Sequence, residues 1–77
     1  MLVELFATKT CPYCGEVREQ LELDGLDFVE HDVEADSEAR ARLIGLVGTH
    51  AMVPVLVEGG RVTQVGSAGR GCYVVHQ

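Results

Sequence analysis

A chain of 77 residues with a formal net charge of -6 and an apolar fraction of 47% reads as one small acidic domain (1-77) with enough apolar content for a single core. The charge argues against nucleic acid and anionic membrane surfaces as partners, and no apolar run reaches the length of a membrane span. Met1 leads straight into apolar sequence with no basic n-region or cleavage site, so a cytoplasmic chain is expected, and a monomer; three cysteines are too few for a secreted disulfide scaffold, and the spacing Cys11-x-x-Cys14 beside a strand–helix pattern points instead to redox chemistry.

In chain order, Leu2–Ala7 is an apolar run broken only by Glu4, suited to a strand buried on both faces. Thr8-Lys9-Thr10-Cys11-Pro12-Tyr13-Cys14 follows at a strand-to-helix junction. Pro12 suits the first helical turn, because its missing N–H had no intrahelical partner in any case. Cys14, Val17 and Leu21 fall on one helical stripe, Glu16, Arg18, Glu19 and Glu22 on the solvated remainder, and Gly25 ends the helix. Asp27–Val33 is the next strand candidate, parallel to the first because a helix crosses between them. Asp36 or Ser37 can cap a second helix with Ala39, Leu43, Leu46 and Val47 on its apolar stripe and Gly45 and Gly48 near its end. Residues 52–57, Gly59-Gly60 and 61–65 read as a β-hairpin, in which Pro54 cannot donate to the ladder. The stretch 66–72 is too glycine-rich for a helix, and 73–76 either adds a short strand or lies across the surface.

The chemistry concentrates at Cys11 and Cys14. At a helix start, the first sulfur meets unpaired N–H groups and the positive end of the macrodipole, which favour thiolate over thiol. The second sulfur lies about one turn on, within reach of a disulfide. Cys11 is therefore the expected exposed nucleophile and Cys14 the resolving thiol, with Lys9 adding a cation on the approach. Cys72 reads more simply as a small buried hydrophobe than as a third redox thiol. A different chemistry remains open, because Cys11, Cys14, Cys72 and His76 make a Cys3His set of the kind that holds zinc, or part of an iron–sulfur site. The acids Glu30, Asp32, Glu34, Asp36 and Glu38 read as a solvated rim.

The order β-α-β-α-β-β, CPYC opening the first helix and Val53-Pro54 opening the third strand resemble the glutaredoxin family over roughly residues 2–66. The resemblance implies an α/β, thioredoxin-like fold with a central mixed sheet, the last helix being missing or replaced by the Gly-rich tail. It also implies thiol–disulfide exchange, with Cys11 attacking and Cys14 resolving, glutathione as co-substrate rather than bound cofactor, and protein disulfides as partners. Thioredoxin reductase is an alternative electron donor. Pro54 would be cis, the backbone of Val53 would pair with an extended substrate thiol peptide, and Tyr13 would flank the glutathione sulfur. Pro12, Gly66 and Ser67 complete the implied glutathione site, and Arg70 could meet a glutathione carboxylate. A module that keeps the fold but has lost turnover is a further reading.

Overall fold

The computed structural model describes residues 1–74. Strand β1 (Val3–Ala7) is buried at every position, as a strand covered on both faces must be. It runs parallel to β2 (Val29–Asp32) and antiparallel to β4 (Val55–Glu58), and β4 pairs antiparallel with β5 (Arg61–Val65), giving one mixed sheet of order β2-β1-β4-β5. Helices α1 (Pro12–Leu23) and α2 (Ser37–Val47) follow β1 and β2 in turn. β3 (Met52–Val53) lies outside this sheet and pairs antiparallel with β6 (Cys72–Tyr73). The expected β-α-β-α-β-β order and mixed sheet are present, and among the described residues a short strand stands where a last helix would follow.

Local chemistry places each boundary. α1 starts at Pro12 and ends in a Schellman motif: Leu26 N–H donates to Leu21 O, Gly25 N–H to Glu22 O, and Gly25 takes φ 70°. α2 is capped by Asp36, whose carboxylate accepts from the N–H groups of Glu38 and Ala39. Gly59 and Gly60 both adopt positive φ between β4 and β5, as a two-residue turn matched to strand twist requires.

Two expectations need correction. β2 spans four residues rather than the seven of 27–33, and Leu46 is 39% exposed rather than on the buried stripe of α2. The acidic rim is also more than solvated surface. Glu30 forms a double hydrogen bond with Arg18, Asp32 accepts from the N–H groups of Glu34 and Ala35, and Asp36 is the cap of α2.

Alternation divides β1 between the two faces of the sheet. Leu5 sits opposite Leu56 of β4, on the side of Val17 and Leu21 of α1. Glu4 and Phe6 point the other way, towards α2. Phe6 is fully buried, with the Arg42 guanidinium 5.3 Å from its ring centre and the His31 ring 4.8 Å away. Glu4, 5% exposed, accepts from Arg42 Nη1 at 2.7 Å and Nη2 at 3.1 Å, with His31 Nε2 at 2.8 Å. A buried carboxylate is tolerable only with partners of this kind.

The hydrogen bonds from Arg42, against the opposing effect of burial, hold the Glu4 carboxyl at about 2, below its ordinary 4.5. The stability this gives is present above pH 4.5 and is lost as pH falls from there towards 2. Urea midpoints should therefore decline across that window, and Glu4→Gln should flatten the decline while lowering stability at neutral pH. A profile as steep in Glu4→Gln as in the parent would contradict the assignment.

Candidate active site

Cys11 is the N-cap of α1, in extended conformation (φ -88°, ψ 116°), with no side-chain hydrogen bond capping the helix. Its position at the end of a buried strand and the start of a proline-initiated helix is the one the spacing predicts. Its surroundings are not. Cys11 is 4% exposed rather than open to solvent, and its sulfur is joined to Cys72 in a disulfide rather than to Cys14. Cys72, half-buried, is thus bonded chemistry and not a small core hydrophobe. Cys14 keeps a free thiol, fully buried on the inner stripe of α1. Burial pushes that thiol's pKa up, partly opposed by hydrogen bonding to Thr8 and by the charge of Arg18.

The tail explains both differences. After β5, Gly66 N–H donates to Pro54 O, and Ser67 and Arg70 exchange hydrogen bonds of 2.7 and 3.0 Å across a tight turn. The central residues of that turn, Ala68 and Gly69, have φ 53° and 79°, the pattern that reverses a chain sharply. The returning chain lies beside β3, with Cys72 opposite Val53 and Tyr73 opposite Met52, and Val74 N–H donates to Ala51 O at 2.9 Å. The Val53–Pro54 bond is cis, as the resemblance implied. The Cys11 sulfur lies 4.0 Å from the Val53 carbonyl oxygen, so the helix start and the β3 edge face one another across this sulfur.

Around this centre the other candidates fall unevenly. Tyr13 is half-buried, with the Arg70 guanidinium 5.1 Å from its ring centre. Ser67 donates from its hydroxyl to Glu16 at 2.7 Å. Pro54 and Gly66 are buried, whereas Lys9 and Pro12 are exposed at the rim. Tyr13, Val53, Pro54, Gly66 and Ser67 are therefore gathered together, but engaged by the chain's own tail. Arg70 lies over Tyr13, a place the sequence left open. The signal for the tail's course was the Ser67–Arg70 turn followed by the short apolar run after Gly71.

The Cys3His reading meets a different fate. Two of its donors, Cys11 and Cys72, share a disulfide, and His76 lies outside the described residues. Among the described residues no three His, Cys, Asp or Glu side chains gather as a metal site would need, and no helix is long and apolar enough to cross a membrane.

The family model for glutaredoxins matches residues 3–63. An uncharacterised glutaredoxin-like 8.6 kDa protein of the rubredoxin operon of Clostridium pasteurianum is 31% identical over 55 residues, 71% of this chain and 72% of that protein. Among solved structures, a mutant of the thioredoxin-like protein BC3987 superposes with a TM-score of 0.75 at 30% identity, covering 86% of this chain and 83% of the other. The Archaeoglobus fulgidus glutaredoxin gives 0.67 at 26% identity, covering 83% and 73%. A buckwheat glutaredoxin in complex with glutathione also gives 0.67, covering 83% of this chain and 59% of that one; at 22% identity it speaks for the fold alone. With the thioredoxin-like fold and a CPYC pair at the start of α1, the protein is a member of the glutaredoxin family.

Proposed function

We propose that the protein is a thiol–disulfide oxidoreductase that reduces protein disulfides or glutathione mixed disulfides, with Cys11 as the attacking sulfur and Cys14 as the resolving thiol. The observation that carries this reading is that Cys11, at the N-terminus of α1 with its sulfur 4.0 Å from the Val53 carbonyl oxygen, is itself engaged in a disulfide with a sulfur held on a strand paired with β3. That is the arrangement an exchange enzyme needs for a mixed disulfide with an extended peptide.

The steps follow from the surroundings. Reduced Cys11 is favoured as thiolate by the first-turn N–H groups and the helix dipole, so no general base is needed. It attacks one sulfur of the target disulfide, a new S–S bond forms, and the other sulfur leaves as a thiolate that takes a proton from water. A second thiol then attacks the Cys11 sulfur and releases the product as thiol. Cys14, about one turn along α1, is the thiol proposed for this step, but burial holds it largely protonated, so it must lose a proton first. For a mixed disulfide between Cys11 and glutathione, an incoming glutathione thiolate attacks the glutathione sulfur instead, so that glutathione disulfide forms and Cys11 leaves as thiolate. Glutathione is thus proposed as a co-substrate that passes through the site, a choice that follows from membership of the glutaredoxin family. Tyr13, Pro12, Val53, Pro54, Gly66, Ser67 and Lys9 are the residues proposed to meet it once the tail has moved aside. Regeneration by glutathione or by thioredoxin reductase requires a reducing compartment, and the cytoplasm is the one proposed.

The test is turnover of a mixed disulfide of glutathione and a small thiol, followed by NADPH consumption through either glutathione with glutathione reductase or thioredoxin reductase alone. Turnover well above the uncatalysed rate with the glutathione system is expected. Turnover with thioredoxin reductase only would replace glutathione as donor. No turnover with either would leave a binding module that keeps the fold without the reaction.

A further inference from the structure

We infer that the C-terminal tail is a built-in stand-in for substrate and that Cys72 is a third exchanging thiol, so that the oxidised enzyme rests with Cys11 joined to Cys72 and Cys14 reduced. The inference rests on Cys11 being the exchanging sulfur.

Geometry supports it at each point of the tail. Cys72 is opposite Val53 in an antiparallel pair, the place proposed above for an extended substrate backbone. The Cys11 and Cys72 Cα atoms are 6.0 Å apart, within the usual range for a bridged pair. Ser67 on Glu16, Arg70 over Tyr13 and Val74 on Ala51 hold the segment on both sides of the sulfur. Gly71 is the closest approach. A Cβ there would run into the Val53 carbonyl oxygen and come within 2.6 Å of Met52 Cγ, so a side chain at 71 is incompatible with the tail in this position. Glycine at the residue before Cys72 is therefore a requirement of the closed form and not merely a sign of a loop.

The exchange balances without an added oxidant. When the target disulfide has been reduced, Cys11 and Cys14 share a disulfide. The Cys72 thiolate then attacks the Cys11 sulfur, the Cys11–Cys72 bond forms and the Cys11–Cys14 bond breaks. Cys14 leaves and takes up a proton equivalent to the one Cys72 gave to water. Its buried site favours the protonated product, which helps the exchange run towards closure. Reopening needs a reductant of the thiol class. A glutathione or dithiol thiolate attacks the half-buried Cys72 sulfur, and Cys11 departs as thiolate, after which a second thiol frees Cys72.

The test is a map of the disulfide in full-length protein oxidised by glutathione disulfide, with free thiols alkylated before and after denaturation and the peptides read by mass spectrometry. A Cys11–Cys72 peptide with Cys14 labelled only after denaturation is expected. A Cys11–Cys14 peptide with Cys72 free, or no intramolecular disulfide at all, would overturn the inference. Gly71→Val provides the second arm, since it leaves every cysteine in place. With unfolding midpoint as the check on folding, it should lower the Cys11–Cys72 fraction at a fixed glutathione ratio by about tenfold. An unchanged fraction would show that strand pairing does not deliver Cys72. The map is read without turnover, so failure of the reductase assay and failure of this inference are separate results.

Discussion

Cys11→Ser is expected to bring turnover of a glutathione mixed disulfide down to the uncatalysed rate, a loss of roughly a thousandfold or more. A serine hydroxyl is not ionised at neutral pH and cannot form a disulfide. The replacement is close to isosteric at a helix N-cap, where serine is itself favoured, so the fold should survive. Cys14→Ser makes a different prediction. The buried thiol resolves mixed disulfides only after giving up a proton that burial holds, and glutathione can perform that step from solution. Turnover of the small mixed disulfide should fall only modestly, whereas reduction of a protein disulfide without added glutathione should fall much further. If Cys11→Ser kept the parent rate, the nucleophile would be elsewhere and the proposed reaction would be withdrawn.

Phe6→Ala is expected to cost about 3–5 kcal/mol, in a chain of 77 residues whose total stability is on the order of 4–12 kcal/mol. Phe6 is fully buried at the centre of the sheet, paired with His31 on one side and Val55 on the other. Its ring also carries Arg42, the residue that holds Glu4 ionised, so truncation leaves a cavity and loosens the ion pair together. A urea midpoint close to that of the parent would mean that the core is not centred here. Because unfolding would also abolish turnover, this variant speaks for stability alone.

What could be read from the sequence is what is decided within a few residues. Pro12 after Cys11, Asp36 ahead of α2, Gly25 at the end of α1 and the Gly59-Gly60 pair each satisfy a local backbone need, and each feature stands where that need put it. The burial of β1 on both faces was equally legible in its apolar members. Glu4 was not, because the arginine that lets it be buried is 38 residues away. The bond between Cys11 and Cys72 was not legible for the same reason. Cys14 is near in sequence, whereas Cys72 is 61 residues distant and arrives only through a turn containing Ala68 at positive φ, a conformation that composition does not announce. Gly66 and Gly71 were legible as breaks in helical sequence. Their structural reason, close approach to the Arg70 and Val53 carbonyl groups, needed the fold.

Exchange at this site requires reduced Cys11 to be held as a thiolate at the start of α1. The most direct measurement is the rate of alkylation of Cys11 against pH, in fully reduced Cys14→Ser/Cys72→Ser protein, with the labelled peptide identified. A midpoint clearly below the roughly 8.5 of a free thiol is expected, with rapid alkylation persisting at neutral pH. A midpoint at or above that value would contradict the thiolate assignment.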